Sequence, residues 1–239
     1  MNNHTVKSFD AELENLAAKV AEMGGLAEAQ LAAAIEAVSR RDLALAERII
    51  DEDKRIDELG HAVEAAAIRL MALRQPVSSD LRETLSAIKM SVELERIGDL
   101  AKNVAKRALV LNREEPIRLT QSVGRMGRQV LSQVTNVLNA YSQRDAQAAL
   151  AVRNSDSEVD ELYNSLFREL VTYMMEDPRT IGLCAHLLFL AKNLERIGDH
   201  ATNLGEIVYF LIIGEDVAGD RPKGDVTSTT NIGYPASKT

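Results

Sequence analysis

The hexapeptide Leu94-Glu-Arg-Ile-Gly-Asp99 recurs letter for letter as Leu194-Glu-Arg-Ile-Gly-Asp199, at an offset of 100 residues. Other features return in the same order. Arg41-Asp42 recurs as Arg144-Asp145 and Asp53-Lys-Arg-Ile-Asp-Glu-Leu59 as Asp156-Ser-Glu-Val-Asp-Glu-Leu162, both at an offset of 103, and Pro76 recurs as Pro178, at 102. A long period kept with such small slippage means that one structural unit is used twice. Any fold for this chain must divide into two similar halves.

Between these landmarks the hydrophobic pattern is helical. From Ser8 to Ser39 the apolar series Leu13, Leu16, Val20, Met23, Ala27, Leu31, Ala34, Val38 steps by threes and fours, which places it on one helical face. Gly24-Gly25 interrupts this series and is expected to kink or weaken it, at about 1 kcal/mol per Gly relative to Ala. Arg40-Arg41-Asp42 marks a tight turn with Asp42 as N-cap of a second helix, which runs to Arg74 and stops before Pro76. Ser78, Ser79 and Asp80 offer caps for a third helix, with Asp80 and Glu83 resembling a capping box. That helix ends near Asn112, and the second unit repeats the plan over 118–142, 145–176 and 180–213. Short connections make consecutive helices antiparallel. The expected fold is all-α: two tandem three-helix bundles, 1–113 and 114–215. The Gly-, Pro-, Ser- and Thr-rich segment 216–239 reads as a disordered tail.

Composition narrows the function classes. Aromatic residues are 4 % of the chain and Trp is absent, so cores must be built from Ala, Leu, Ile, Val and Met. The net charge of −8 argues against nucleic acid, whose phosphates require clustered Lys and Arg. The single cysteine, Cys184, lies in an apolar run and reads as a small buried hydrophobe in a reducing setting. The polar start lacks a signal-peptide core. The apolar runs 183–191 and 207–213 fall short of the ~20 residues that span a bilayer. A cytoplasmic protein is expected.

Four segments carry an acid, three intervening residues and an Asp: Asp53/Asp57, Glu95/Asp99, Asp156/Asp160 and Glu195/Asp199. That spacing stacks each pair on one face, a turn apart. If the second and third helices of each unit form an unshifted hairpin about Pro76 or Pro178, Asp57 lies opposite Glu95 and Asp53 opposite Asp99, while Asp160 lies opposite Glu195 and Asp156 opposite Asp199. The apolar stripe Leu81, Leu85, Ile88, Val92 leads into Glu95 and Asp99, and Ile181, Ala185, Leu188 lead into Glu195 and Asp199, with Lys192 interrupting. The acids are therefore expected at a helix–helix seam. Gathered carboxylates need an offsetting cation. A hard ion such as Mg²⁺, Ca²⁺, Mn²⁺ or iron would serve, and the scarcity of Cys and His argues against structural zinc. An ordinary ion-pair network with Lys54, Arg55, Arg96, Lys102, Lys106 and Arg196 would also serve, and both answers are open on spacing alone.

The doubled Leu-Glu-Arg-Ile-Gly-Asp, followed by Asn103 and Asn203 and preceded by the Asp-x-x-x-Asp segments, resembles the PhoU family across residues 8–215. The resemblance implies two three-helix bundles, commonly paired as a homodimer. It implies metal ligation by Asp53, Asp57, Glu95, Asp99, Asp156, Asp160, Glu195 and Asp199, with Asn103 and Asn203 in an outer shell. The ion would be iron, manganese, magnesium or zinc. It also implies a negative regulator of the phosphate-starvation response and of phosphate uptake, whose partners are the ATPase subunit of a phosphate ABC transporter and the sensor histidine kinase of the phosphate regulon. Such a protein meets the membrane only through its partners. Ser157 and Glu158 replace the basic pair Lys54-Arg55 in the second unit, so the two sites are expected to differ.

An adaptor whose acids are merely a solvated face is the alternative. A carboxylate-bridged metalloenzyme fits less well: di-iron bundles need Glu-x-x-His on paired helices, and Glu58-x-x-His61 has only Glu161-x-x-Asn164 as counterpart. No Walker-type loop or paired nucleophile and base occurs. His4 and His61 read as exposed and His186 as packed in an apolar helix, while His200, next to Asp199, is no more than a weak outer-shell candidate. No segment reads as a phosphate pocket, so direct sensing of phosphate is not expected.

Overall fold

The computed structural model describes residues 2–115 and 117–219, with side chains from Phe9 onward. The expectations for His4 and for 220–239 fall outside the described side chains and residues respectively. The fold is all-α, built from α1 (Asn2–Arg40), α2 (Leu43–Glu52), α3 (Lys54–Arg74), α4 (Ser79–Leu111), α5 (Leu119–Gln143), α6 (Ala146–Asn154), α7 (Asp156–Glu176) and α8 (Ile181–Ile213). With α2 and α3 read as one interrupted rod, and α6 and α7 as another, this is a three-helix bundle followed by its repeat.

The turns follow their chemistry. Asp42 caps α2 by accepting the Leu45 N–H at 2.9 Å, and Asp145 caps α6 by accepting from Gln147 and Ala148. The expected capping box before α4 does not form: Ser78 sits at φ 49° with no side-chain cap, and the Ser79 hydroxyl donates to Asp80 instead. Helix α8 ends on Gly214 at φ 89°, whose N–H bonds Phe210 O at 2.8 Å. This is the left-handed exit that glycine makes cheap. Arg82 reaches across from α4 to cap Leu211 O at 3.0 Å, and Arg153 Nη2 holds Gly219 O at 2.8 Å. The start of the supposed tail is thus fixed against the bundle as far as Gly219.

The two bundles lie side by side, α4 packed along α8 and α1 along α5, and their buried side chains form one core. Alanines fill much of it: Ala27, Ala34, Ala37, Ala67, Ala101, Ala105 and Ala108 are fully buried, which lets the rods approach closely. Gly24-Gly25 does not interrupt α1, which runs as one helix to Arg40. A Cβ on Gly24 would lie 2.6 Å from Leu138 Cδ2, whereas one on Gly25 would meet nothing within 4 Å. Gly127, 103 residues after Gly24, makes room in the same way for Ile35, 103 before Leu138. The α1–α5 contact is therefore a pseudo-two-fold in which each glycine receives the other helix's branched side chain. Among the described residues no helix is long and apolar enough to cross a membrane.

Candidate functional site

The seam lies between α3 and α4 in the first repeat and between α7 and α8 in the second. It is built at a break in the middle rod of each bundle. At Asp53 the backbone stays helical (φ −55°, ψ −33°), but the turn tightens, with Ile56 N–H bonding Asp53 O at 3.1 Å. At Ser155 the chain leaves helical geometry (φ −86°, ψ 4°). An exposed carbonyl or carboxylate at a buried break needs a donor, and each repeat supplies it from its first helix. Gln30 Nε2 donates to Asp53 Oδ1 at 2.8 Å. Gln133 Nε2 donates to Ser155 O at 3.1 Å and to its Oγ at 3.0 Å. These glutamines occupy equivalent positions in α1 and α5. The glycine of each hexapeptide lies under this crossing: a Cβ on Gly198 would sit 3.2 Å from Gln133 Oε1, whereas one on Gly98 would strike Ile56 Cδ1 at 2.9 Å, with Gln30 Oε1 at an ordinary 3.5 Å.

Asp53 meets Lys102, three residues beyond Asp99 on α4, with Nζ to Oδ2 at 2.5 Å. Three residues is just under one helical turn, so the acids keep their face while a cation enters between them. Asp53 is 3 % exposed; Asp57, Glu95 and Asp99 are half-buried. Burial, together with the neighbouring charges of Asp53 and Asp99, pushes the Asp57 carboxyl above its ordinary range, against the pull of Lys102 and His61. The hydrogen bond to Asp53 raises the Lys102 ammonium in turn. In the second repeat Asp156, Asp160 and Glu195 are 3 %, 5 % and 6 % exposed, and Asp199 is half-buried. Position 202, equivalent to Lys102, is a buried Thr whose hydroxyl donates to Asp199 O. The ammonium comes instead from Lys192, 2.9 Å from Glu195 Oε1 and 4.9 Å from the Tyr163 ring centroid.

Among the described residues no three His, Cys, Asp or Glu side chains are placed to ligate one ion together. The donor set remains that of a hard-cation site: carboxylate oxygens in number, with amide groups close by. In both repeats a lysine ammonium stands where such an ion would act. Neither lysine was singled out by spacing, because Lys192 reads as an interruption and Lys102 as one of many flanking bases.

Other expected positions lie elsewhere. Asn103 is exposed. Asn203 Nδ2 donates to Glu93 Oε2 at 3.1 Å, and His200 Nδ1 is 2.6 Å from the same oxygen, so both help to lock α8 onto α4. His61 is exposed, and half-buried His186 pairs with Arg107 at 3.1 Å. The stripe expected in the groove lies there only in part: Ile88 and Leu188 pack partly buried against the core, while Leu81, Leu85 and Val92 are exposed, Val92 by 50 %, as is Ile181. The buried line is Thr84, Ala87, Met90/Ser91, Leu94, Ile97, Ala101, because α4 must face α1 and α8 as well as α3. Cys184 is buried, and burial raises its thiol.

A PhoU domain profile matches residues 20–108 and again 123–208, one match per bundle. The chain belongs to the PhoU family. The phosphate-specific transport system accessory protein PhoU homolog of Caulobacter vibrioides is 53 % identical over 229 residues, 95 % of this chain and all of that protein. The homolog of the same name from Rhizobium meliloti is 46 % identical over 227 residues, covering 95 % and 96 % of the two chains. The crystal structure of PhoU from Pseudomonas aeruginosa superposes with a TM-score of 0.84 at 41 % identity, over 87 % of this chain and all of that one. The phosphate transport system regulatory protein PhoU from Streptococcus pneumoniae gives 0.81 at 31 % identity, over 87 % and 99 %. PhoU is thus a family of accessory and regulatory proteins of phosphate transport rather than of enzymes.

Proposed function

We propose that this PhoU-family protein is a negative regulator of phosphate uptake and of the phosphate-starvation response. It acts by protein contacts, as a homodimer in the cytoplasm, with the ATPase subunit of a phosphate ABC transporter and with a sensor histidine kinase. The observation that carries this reading is the end-to-end match to phosphate-transport accessory proteins. The two seams hold a divalent or trivalent ion, iron, manganese, magnesium or zinc, between Asp53, Asp57, Glu95 and Asp99 and between Asp156, Asp160, Glu195 and Asp199. Bound there, the ion supplies charge neutralisation and pins the middle rod to the third helix. The lysines are its stand-ins: Lys102 and Lys192 swing outward as the ion enters, so metal and ammonium exclude each other.

Deleting the gene and measuring phosphate-regulon output in high phosphate tests the regulatory role. Output should rise, and a regulon that stays silent defeats the reading. Elemental analysis of protein purified without chelator tests the metal. The 2.5 Å contact of Lys102 with Asp53 favours one second reading, a helical adaptor that the lysines neutralise permanently. Metal-free protein that keeps full stability and partner binding would select it.

A further inference from the structure

A cleft of about 730 Å³ opens between the start of α5 and the end of α7, lined by Arg118, Ser122, Arg125, Arg168, Thr172 and Tyr173, among others. In a chain with eight more acids than bases, none of these three arginines forms an ion pair among the described residues. Arg125 reaches only the Ser122 hydroxyl, at 2.8 Å. Glu169, the acid at the rim, takes the Ser165 hydroxyl, at 3.3 Å. The first repeat lacks the cluster. Residues 103 positions earlier are Asn15 for Arg118, Glu22 for Arg125 and Ala65 for Arg168, with Arg69 for Thr172, and Glu22 is paired with Arg55 at 3.3 Å. The duplicated scaffold does not require these arginines, so their convergence belongs to the second repeat alone.

The three arginines are exposed, so water screens their mutual repulsion, but an anion in the cleft they line would meet unpaired guanidinium groups from both helices. A single carboxylate would leave two unbalanced. A phosphate group carries more charge and accepts the paired N–H groups of arginine in bidentate geometry. Side chains at 118, 122 and 125 share one face of α5, and those at 168 and 172 one face of α7, so the donors face each other across the cleft. The Ser122 hydroxyl stands among them, while that of Thr172 donates to Arg168 O at 2.9 Å. Half-buried Tyr173 and buried Leu119 form an apolar wall. The volume exceeds that of orthophosphate and lies in the range of small-molecule sites.

We propose that this cleft binds a small phosphate-bearing anion, independently of the carboxylate seams and of the regulatory reading above. The sequence hides it because its two halves lie about 45 residues apart and meet only when α7 folds back along α5.

The test is calorimetric titration of the full chain in chelator-treated buffer at fixed ionic strength, so that the seams contribute no metal-mediated binding. The probes are orthophosphate, pyrophosphate, ATP and an oligoglutamate peptide. Saturable binding of any phosphate probe is expected, and the probe that binds most tightly distinguishes free phosphate from a phosphorylated metabolite. Giving the cleft the first repeat's residues, Arg125→Glu with Arg168→Ala, should weaken binding by on the order of tenfold or more per arginine. Arg125→Gln with Arg168→Gln gives the same reading should the first variant misfold by circular dichroism. No phosphate binding to the native chain, binding unchanged in the variants, or binding of the peptide alone overturns the proposal.

Discussion

Replacing Lys102 with Met removes an ammonium but keeps most of the side chain's apolar stem. In the native protein Nζ lies 2.5 Å from Asp53 Oδ2, and Asp53 is 3 % exposed. After the change the carboxylate stays buried, with the Gln30 amide at 2.8 Å as its remaining partner shown here. Stranding one member of a buried pair costs about 3–5 kcal/mol. Because the Lys102 side chain is itself 27 % exposed, water reaches part of the gap, and about 2–3 kcal/mol is the better figure for Lys102→Met. For a chain of this length that lowers the melting temperature by about 5–10 °C. Urea denaturation in chelator measures the free energy directly. Asp53→Asn in the Lys102→Met background should recover most of the loss, giving a strong coupling in the double-mutant cycle. Manganese should rescue Lys102→Met more than it stabilises the native chain, since the ion would enter an emptied place. A Lys102→Met protein within about 0.5 kcal/mol of native in chelator would refute the idea that the ammonium neutralises the seam.

Alkaline titration checks the same pair by its sign. A lysine raised in the folded state stabilises fully below its unfolded value and loses that effect as pH climbs through the folded value. The gap between native and Lys102→Met should therefore close at strongly alkaline pH. Asp57 shifts in the same direction, its carboxyl raised by burial and by Asp53 and Asp99, so here too stability falls as pH rises, but in the carboxylate range. The folded state holds the Asp57 proton more tightly than the unfolded chain does, so ionisation destabilises the fold at neutral pH. Asp57→Asn should accordingly stabilise the protein at neutral pH in chelator, with the gain fading on acidification through the carboxylate range; a destabilised variant contradicts this. Two glycines give a contrast by thermal melting. Gly25→Ala meets nothing within 4 Å and should gain up to about 1 kcal/mol from helix propensity. Gly205→Ala would place its Cβ 2.8 Å from the backbone oxygen of Ala149, which cannot move aside as a side chain can, and should lose about 1–3 kcal/mol net.

The doubled hexapeptide and the returning prolines predict the two bundles, their helices and the antiparallel hairpins, because periodicity and chain breakers are local properties. Asp42 and Asp145 are legible as caps for the same reason. What the sequence conceals depends on which neighbours a helix meets. Helix α4 packs against α1, α2, α3 and α8, so its apolar series Leu81, Leu85, Val92 could be mistaken for the buried line when Thr84, Ala87 and Leu94 form it. Gly24 reads as a weakness in α1 because its use, admitting Leu138, lies 114 residues away. The acids of the seam are found by spacing. Their ammonium partners are missed because a pattern that aligns the acids does not show how far a long lysine side chain reaches along its helix, as Lys102 does to meet Asp53. Gln30 and Gln133 carry no local signal at all. Comparing equivalent positions in the two halves would have revealed them as a conserved pair within this one chain.

The reciprocal fit of Gly24 with Leu138 and Gly127 with Ile35 bears on how the halves would behave if cut apart. Each half offers the other both a notch and a knob, and the join needs no peptide link between Asn112 and Arg118. Separately produced halves, mixed in solution, have the complementary surfaces to find one another and rebuild the shared core. Either half kept alone would leave its α1–α4 or α5–α8 flank open to water, with a second copy of itself as the nearest substitute.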